Sequence, residues 1–483
     1  MCGRIRKGIL LYLAAALILA GCGGQGETEK NTGQADTAVG GANPEDAAGA
    51  EGNGSANGGT DPDGKTAGTE ATGEKTVLVL AAFEENRSLM KQVEAFNQSN
   101  PEYEIQIKLY ERALSAEEDG VVRLQREIMS GAGPDLIDFG MDYTTSDIAG
   151  KYTEDLLPYL ENAGMGGEDF FTNVWDAMCY RGGLYAMPVS FTLATFAGET
   201  AELGGRESWN VKEMIECYQG KKDKMLYPGE TKIDVFGTIL TGSMETYIDW
   251  ESGECSFDGE AFKQVLAFAN TFPGSLNISE DFSVKQAFLD GQALLLQVRF
   301  GGIYDICKAE LIFGEKDVTY VGFPVEGKCG TVIRPSYPML AISIGSKHKE
   351  AAWSFIRQFL EEDYQEEVKY EFPVRRSVLE EKLLENREPE YEMDAEGNRK
   401  EIVKAEVIFE GEEPVEVYCI TEEQADKLIH LIESAEICTT TNYQIYNVFL
   451  EEAGSYFSGD KSLEDAVAVM QSRASIYVGE RVR

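Results

Sequence analysis

The sequence has few of the residues on which acid–base and metal chemistry usually depend. Its 483 residues include only 2 histidines, and none of the spacings H-E-x-x-H, G-x-S-x-G or C-x-x-C occurs. Positive charge is also scarce, because 43 Lys and Arg stand against 84 Asp and Glu, for a formal net charge of −41. So negative a surface repels phosphate backbones. We therefore predict no metal, no cofactor and no nucleic-acid partner.

Cysteine is present but lacks the pattern of a disulfide framework or a zinc site. Apart from Cys2 and Cys22, the cysteines are odd in number and widely scattered, whereas disulfide-rich domains have even numbers of cysteines. We predict free thiols, most of them on small buried side chains, at Cys179, Cys217, Cys255, Cys307, Cys329, Cys419 and Cys438.

An apolar run from Ile9 to Ala20 follows a short basic segment at the amino terminus. The run is shorter than the roughly 20 residues that span a bilayer, so we predict a signal peptide over residues 1–21. The residues Leu19-Ala20-Gly21-Cys22 resemble the lipobox of bacterial lipoproteins. This resemblance implies that Cys22 is lipidated and holds the chain on the outer face of the cell membrane. The alternative is an ordinary signal peptide followed by an incidental cysteine.

Residues 22–75 differ in composition from everything that follows. They are rich in Gly, Ala, Thr, Asn, Asp and Glu, with Val39 as the only branched aliphatic residue. Such a segment buries too little surface to offset the entropy of ordering, so we predict a disordered tether. A flexible coil of this length reaches about 40 Å, which is enough to lift a folded body clear of the lipid headgroups.

Residues 76–140 alternate between strand and helix patterns. The apolar run Thr76–Ala81 predicts a buried strand, and Leu89, Val93 and Phe96 recur at helical spacing. A strand, a helix and another strand then follow at Ile105–Leu109, Val121–Ile128 and Asp135–Phe139. This order predicts a parallel, helix-covered sheet, in which ligands bind beyond the carboxyl ends of the strands.

These residues resemble the family 1 extracellular solute-binding proteins, the receptors of carbohydrate ABC importers. The resemblance rests on weak motifs that occur in the family's order along the chain. They are Phe96-Asn-Gln-Ser-Asn-Pro101, Gly131 to Asp135, Gly183-Leu-Tyr-Ala-Met-Pro188, Ser256-Phe-Asp258, Phe288 to Leu296, Lys347 to Phe355 and Phe372-Pro-Val-Arg375.

The resemblance implies an α/β fold of the periplasmic-binding-protein type II, with two lobes joined by several hinge crossovers. Lobe one would contain residues 76–190 and 303–346, and lobe two residues 191–302 and 347–483. A sugar or oligosaccharide held in the cleft would shift the population toward a closed form. That closed form would be recognised by the membrane subunits of an ABC permease. A monomeric binding protein without enzymatic activity is thus expected.

The tail departs from shorter members of this family. Alternating apolar residues on either side of Gly411–Pro414 predict an added β-hairpin over Val403–Cys419. Thr421 and Gln424 have the spacing of a capping box, which predicts a helix from there, and Ser462 with Asp465 opens the last helix. We expect the apolar stripes of these helices to pack in the core.

Sugar sites need exposed aromatic rings for stacking and planar polar groups for paired hydrogen bonds. Residues of these types stand where strands and crossovers end, and the resemblance suggests a stacking role for Phe300, at a position where many members have Trp. The candidate ligand-binding residues are Phe83, Glu84, Asp142, Tyr143, Phe191, Thr192, Arg299, Phe300, Tyr304 and Tyr337.

Each candidate also has a purely structural explanation. Phe83, Phe191 and Phe300 are as compatible with a core as with a cleft, since large aromatics are usually buried. The acids belong to a large excess of surface carboxylates, and Arg299 is compatible with a structural salt bridge. If Phe300 stacks on a sugar, Phe300→Ala weakens binding and leaves the melting temperature nearly unchanged.

Two other functions are compatible with parts of the sequence. A secreted glycoside hydrolase would use paired carboxylates, but an abundance of acids does not establish the separation that such an enzyme needs. A receptor for a non-sugar solute, such as a peptide or a polyamine, would suit an acidic body. Turnover of a glycan panel would favour the first, and a response to spermidine alone would favour the second.

Overall fold

The computed structural model describes residues 75–483, apart from 112–118, 141–149, 251, 277–278, 280–281, 395–396, 410–411, 439–442 and 483. The predicted signal peptide, Cys22, the tether as far as residue 74, and the candidates Asp142 and Tyr143 lie outside the described residues. In the part of the chain that is described, no helix is both long and apolar enough to cross a membrane.

Strands and helices alternate through the first half of the chain, and their order along the chain is less regular after that. The strands are β1 (Thr76–Ala82), β2 (Tyr103–Leu109), β3 (Leu136–Asp138), β4 (Met187–Pro188), β5 (Ser190–Glu199), β6 (Leu296–Phe300), β7 (Val318–Tyr320), β8 (Val332–Pro335), β9 (Met339–Ile342), β10 (Phe372–Pro373), β11 (Tyr391–Met393), β12 (Arg399–Glu401), β13 (Ala405–Val407), β14 (Val415–Val417) and β15 (Ile437–Cys438). The α-helices are α1 (Arg87–Ser99), α2 (Gly120–Met129), α3 (Leu157–Ala163), α4 (Thr172–Asp176), α5 (Thr200–Leu203), α6 (Val211–Gln219), α7 (Lys232–Ser243), α8 (Glu260–Ala269), α9 (Val284–Leu289), α10 (Asp305–Phe313), α11 (Lys349–Gln358), α12 (Glu362–Glu367), α13 (Arg376–Asn386), α14 (Glu422–Glu433), α15 (Tyr443–Phe457) and α16 (Leu463–Val482).

The first five elements confirm the predicted strand–helix alternation. Asn86 begins α1, since its side chain accepts a hydrogen bond from the Leu89 N–H at 2.9 Å, which satisfies one of the free donors of the first turn. Leu89, Val93 and Phe96 are buried as their spacing predicts. These elements bring β1 and β3 side by side in parallel.

Lobe one is built on a five-stranded sheet in the order β2-β1-β3-β9-β4. The strands β1, β2 and β3 run parallel, whereas β9 is antiparallel to both β3 and β4. Helix α11 packs on this lobe, because Phe355 contacts Phe96 edge-to-face at a centroid distance of 5.5 Å. The carboxyl ends of β1 and β3 therefore lie at the same edge of the sheet.

Lobe two is built on a sheet in which β5 is the central, longest strand. Strands β6, β7, β8 and β10 all pair with β5 in antiparallel fashion, and β15 pairs with β8 in parallel. One face of this sheet packs in the main core through Leu193, Phe300 and Ile333. The other face packs in a second core through Phe196 and Val332, which the helices α6, α7, α8, α15 and α16 cover.

The described chain passes between the lobes at three places. The crossovers join β4 to β5, β8 to β9, and α11 to β10. Gln365 ties two of them together, because its Nε2 donates to the carbonyls of Val189 at 2.8 Å and Phe359 at 2.7 Å. Its Oε1 accepts from the Arg375 N–H at 3.1 Å, so every polar atom of this fully buried side chain is bonded to the hinge backbone.

The strand pairing corrects two of the predicted lobe boundaries. Residues 303–335 were expected in lobe one, but β7 and β8 pair with β5 of lobe two. Residues 347–358 were expected in lobe two, but Trp353 and Phe355 of α11 contact Tyr159 and Phe96 of lobe one. The return crossover therefore lies between Pro335 and Met339. Short apolar strands look alike in sequence whichever sheet they join, which explains the error.

The carboxy-terminal extension has the predicted hairpin and helices. Strands β13 and β14 pair in antiparallel fashion, with Val407 and Val417 buried in the main core. Thr421 and Gln424 form the capping box at the start of α14, and Ser462 accepts from the Asp465 N–H at 3.1 Å before α16. A second hairpin, β11–β12, occupies a stretch for which no strands were predicted, and it is mostly exposed.

Candidate binding cleft

Asp138 stands at the carboxyl end of β3, at the edge of lobe one that faces the crossovers. Its side chain is fully buried. Its Oδ1 accepts from the N–H groups of Gly140 and Met339, each at 3.0 Å, whereas its Oδ2 has no hydrogen-bond partner among the described residues. Burial raises the pKa of Asp138 to about 6, although the two backbone hydrogen bonds oppose the shift.

Tyr337 lies over this end of β3, on the crossover that leads back into lobe one. Its ring covers Gly140, where a Cβ atom would stand 2.8 Å from Cε2 of the ring, and the positive φ of 58° suits glycine there. The Tyr337 hydroxyl donates a long hydrogen bond, of 3.5 Å, to the carbonyl of Glu84. Burial and the nearby charge of Asp138 raise the pKa of Tyr337. The loop after β1, the end of β3 and the crossover thus meet at one point.

We expect Asp138→Asn to change how stability depends on pH. The pKa of Asp138 is raised from 3.8 to about 6 in the folded protein, so the folded state binds the proton more tightly than the unfolded state does. The carboxyl therefore lowers the free energy of unfolding as pH rises from about 4 to 6, by about 3 kcal/mol at full effect. The variant has no carboxyl at this position, so it does not lose stability in this way. The unfolding free energy of the variant minus that of wild type therefore increases between about pH 4 and 6. Urea melts at several pH values measure the difference.

The exposed Glu362→Gln variant is the matched control for Asp138→Asn. It changes one carboxylate at the start of α12, where the side chain is in solvent. The difference in unfolding free energy between Glu362→Gln and wild type stays constant over the same pH range. A flat difference for Asp138→Asn as well would contradict the raised pKa.

Lobe two presents three polar side chains on one face of its sheet beside the crossovers. Thr192 of β5 is paired with Arg334 of β8, and Ala194 of β5 is paired with Arg299 of β6. Directly paired residues point to the same face, as do residues two apart on one strand. Thr192, Arg299 and Arg334 therefore share a face, while Phe300 points to the other one.

Glu371 and Ser190 lie at the base of the hinge beside these side chains. The Ser190 hydroxyl donates to the Glu371 carboxylate. Burial raises the pKa of Glu371, an effect that the hydrogen bonds from Ser190 and Ser336 and the charge of Arg299 oppose. Tyr364 lies close enough that its pKa, raised mainly by burial, also reflects the charges of Glu371 and Asp138. Polar side chains therefore line the hinge where the two lobes meet.

The structure corrects the expectation for two predicted aromatic candidates. Phe191 and Phe300 are both fully buried in the main core. Phe191 packs against Phe171 and Phe372, and Phe300 packs edge-to-face on Tyr320 at a centroid distance of 5.5 Å. Neither ring has a free face on which a ligand could stack. The alternation along β5 and β6 puts these rings on the core face, opposite to Thr192 and Arg299.

The other described candidates fall into two groups. Glu84 and Arg299 are exposed, Thr192 is buried and Tyr337 is half-buried, and all four lie near the crossovers. Phe83 is half-buried and packs on a small cluster beneath the end of β1. Tyr304 is directed away from the others, because its hydroxyl donates to the side chain of Asn386 on α13.

Sequence reasoning missed Asp138, Arg334 and Glu371. A signal existed for Asp138, since an acid stands inside the otherwise apolar strand Leu136–Phe139. Arg334 was missed because its strand was assigned to the other lobe. Glu371 carries no local signal, and it belongs to the site only because β10 pairs with the start of β5.

Three tryptophans have packing roles, and a fourth joins the two lobes. Trp175, Trp209 and Trp353 are buried, with exposed fractions of 3%, 2% and 6%. Trp250 is half-buried and donates from Nε1 to Glu245 at 2.6 Å. Its ring meets Tyr180, on the segment that leads into β4, at a centroid distance of 6.1 Å. This contact joins the two lobes away from the crossovers.

None of the described cysteines forms a disulfide, as predicted, but the expectation that most of them are buried is wrong. Only Cys307 and Cys438 are buried, whereas Cys419 is exposed and the other four are half-buried. Burial raises the pKa of Cys307 to about 12 and that of Cys179 to about 11, which keeps both protonated and weakly reactive. Among the residues that the structure describes, no group of three His, Cys, Asp or Glu side chains is placed to hold a metal ion.

An open depression of 660 Å³ lies elsewhere, between α1 and Ile107 of β2. It is lined by side chains of α1 such as Arg87, Lys91 and Glu94. None of the candidate residues borders it. It lies on lobe one, and Lys91 at its border pairs with Glu367 of α12 at 2.6 Å.

Residues 81–366 match the model of a family described as bacterial extracellular solute-binding protein. The match spans more than half of the chain, so the chain belongs to this family. That membership confirms the resemblance drawn from the sequence motifs, and it indicates a protein that binds a solute outside the cytoplasm.

Comparison with solved structures supports the two-lobed fold. The sugar-binding protein MalE from Xanthomonas citri matches with a TM-score of 0.53 at 15% identity, over 84% of this chain and 98% of that chain. A structure described as a de novo designed cysteine esterase matches with a TM-score of 0.52 at 14% identity, over 85% of this chain and 99% of that chain. At such identities the likeness concerns the fold alone. A comparison with curated protein sequences found no relative.

Proposed function

We propose that the chain is a lipid-anchored receptor that captures a sugar or oligosaccharide and delivers it to an ABC permease. Family membership over residues 81–366 is the observation that carries this proposal. The fold is shared with a sugar-binding protein, MalE from Xanthomonas citri. The cleft residues add chemical support, because carboxylates, a hydroxyl and guanidinium groups suit a ligand rich in hydroxyls.

In this proposal the ligand lies between the carboxyl ends of β1 and β3 and the crossover end of β5. Glu84 and Tyr337 would contact it from lobe one, and Thr192, Arg299 and Arg334 from lobe two. Contacts made to both lobes at once favour the closed form, because only that form provides them all. Binding thereby sets the shape that a permease recognises.

Calorimetry of the purified protein against mono- and oligosaccharides tests the receptor. Binding of a saccharide without turnover is the expected result, together with a rise in melting temperature as ligand is added. Hydrolysis of a glycan would overturn the proposal in favour of an enzyme. A response to spermidine or to peptides, with none to saccharides, would move the function to another solute.

The anchor has its own test, which is Cys22→Ser. A lipidated Cys22 holds the chain on the membrane through acyl chains, and serine cannot carry the thioether. We expect wild-type protein in the membrane fraction and the variant in the medium or the soluble extract. Cys2→Ser is the control and stays with the membrane. Equal release of wild type and variant would contradict lipidation at Cys22.

A further inference from the structure

Three side chains on one face of lobe two form a polar group that the rest of the fold does not satisfy. Thr192 pairs directly with Arg334 on one side of β5. Ala194, two residues further along β5, pairs with Arg299 on the other side. We call Thr192, Arg299 and Arg334 the arginine face. It lies at the end of the sheet next to the crossovers. Further along the same face, Phe196 and Val332 pack in the second core.

The two guanidinium groups lack ion-pair partners in the described part of the chain. Some arginines elsewhere pair closely with carboxylates, as Arg357 does with Glu361 at 2.8 Å and Arg387 with Glu422 at 2.7 Å. No such pair involves Arg299 or Arg334 among the described residues. Arg299 and Arg334 thus lie on one face of the sheet, on either side of β5, without a carboxylate at ion-pair distance among the described residues.

The acids nearest to the arginine face are already engaged. Glu371 feels the charge of Arg299, but it accepts from the hydroxyl of Ser190 at the hinge. Asp305 uses its Oδ2 to accept from the N–H groups of Gly301 and Gly302, at 2.7 and 2.9 Å. These bonds fix Glu371 to the Ser190 hydroxyl and Asp305 to the backbone, and neither carboxylate forms an ion pair with Arg299 or Arg334 in the described chain. Both guanidinium groups are therefore available to an outside group.

Thr192 supplies a second, independent observation. Its side chain is 2% exposed, and its Oγ1 has no hydrogen-bond partner among the described residues. A buried hydroxyl without a partner costs about 1–3 kcal/mol, so such groups are rare unless another molecule completes them. Thr192 stands on the same face as both guanidinium groups, and its methyl group lies beside Gly301, where an added Cβ would stand 3.8 Å from it.

We propose that the arginine face binds the carboxylate of an acidic saccharide, such as a uronic acid residue. A guanidinium fork matches a carboxylate through two parallel N–H···O bonds, which a neutral hydroxyl cannot reproduce. The Thr192 hydroxyl donates a further hydrogen bond to the same carboxylate or to a neighbouring ring oxygen. This inference rests on the proposed receptor function and names the class of its ligand.

The test is calorimetry of the full chain in detergent with oligogalacturonates, oligoglucuronates and the methyl esters of both. We expect the free acids to bind at least tenfold more tightly than the esters, and the affinity for the acids to fall with salt. Arg334→Gln lowers the affinity for the acids at least tenfold and leaves the weak binding of the esters unchanged. Arg334→Lys keeps the charge without the fork and gives an intermediate loss. Thr192→Val, which keeps the shape, gives a smaller loss than Arg334→Gln.

Two controls separate binding from folding. Arg387→Gln removes a surface arginine that is paired with Glu422, and it leaves the affinity for the acids unchanged. The melting temperature of each variant without ligand is measured alongside. If Arg334→Gln does not fold, Arg299→Gln replaces it, since Arg299 is exposed and its loss disturbs no packing.

The outcomes distinguish this inference from the receptor function. Tight binding of neutral oligosaccharides with none of the acids would overturn the arginine face and leave the sugar receptor intact. Equal binding of acids and esters, insensitive to Arg334→Gln and Arg299→Gln, would overturn it as well. Binding of non-sugar carboxylates alone, lost in Arg334→Gln, would retain the arginine face and overturn the sugar receptor.

Discussion

Replacing Phe300 by alanine lowers the free energy of unfolding by about 3–5 kcal/mol, the usual cost of emptying a core site of an aromatic ring. The ring is fully buried and packs edge-to-face on Tyr320 at 5.5 Å. Its strand pairs with β5 at Leu193, another fully buried residue, so removal of the ring leaves a cavity inside the core. A drop of several degrees in melting temperature, measured without ligand, checks this result.

Tyr370→Ala is the control for Phe300→Ala. This aromatic side chain is 88% exposed, so its removal changes the unfolding free energy by no more than about 0.5 kcal/mol. The sequence led to the opposite expectation for Phe300, with weaker ligand binding and unchanged stability. If that pattern were measured, Phe300 would face the cleft and the packing described for β6 would be wrong.

The second large effect concerns Gln365 at the hinge. Gln365→Leu keeps the approximate volume of the side chain but leaves two buried carbonyls, those of Val189 and Phe359, without donors. It also removes the acceptor of the Arg375 N–H. Each buried group left unpaired costs about 1–3 kcal/mol, so we expect a loss of about 3–5 kcal/mol in unfolding free energy, measured by urea denaturation.

Two further variants show whether hydrogen bonding causes this loss. Gln365→Glu has nearly the same shape but no N–H donors, and it should destabilise the protein as well. Gln98→Leu changes an exposed glutamine on α1 and should be nearly neutral. Wild-type stability in Gln365→Leu would mean that the hinge backbone finds other partners or water.

Local patterns in the sequence were sufficient to predict the local structure. The helical spacing of Leu89, Val93 and Phe96 and the capping box of Thr421 and Gln424 depend only on neighbours within a few residues. The hairpin β13–β14 was predictable for the same reason, because its strands alternate on either side of one turn. In each case the physical cause lies within the segment that carries the pattern.

What could not be predicted depends on pairing between distant segments. Nothing in the residues of β8 states that they pair with β5, more than 130 positions earlier, and so Arg334 was assigned to the wrong lobe. The same pairing decides that Phe300 points into the core while its neighbour Arg299 points out. The family resemblance suggested a stacking ring at residue 300, but it could not fix which face of the sheet that ring occupies.

Asp138 illustrates a case between these extremes. Its place in an apolar strand is visible in the sequence, but its buried state depends on the crossover, which brings Tyr337 and the Met339 N–H to it. The chemistry of this carboxyl is therefore a property of three chain segments together. The sequence around residue 138 is therefore not enough to predict the chemistry of this carboxyl.

The three crossovers also bear on how the molecule could be divided. Lobe one takes its sheet from Thr76–Pro188 and Met339–Ile342, and lobe two takes strands from both sides of the second of these segments. No continuous stretch of chain encodes either lobe alone. A cut between Pro335 and Met339 would yield two fragments that each hold strands of both sheets, so they would stay interlocked instead of separating into halves. A protease that reaches the hinge would therefore cut this protein without separating its lobes.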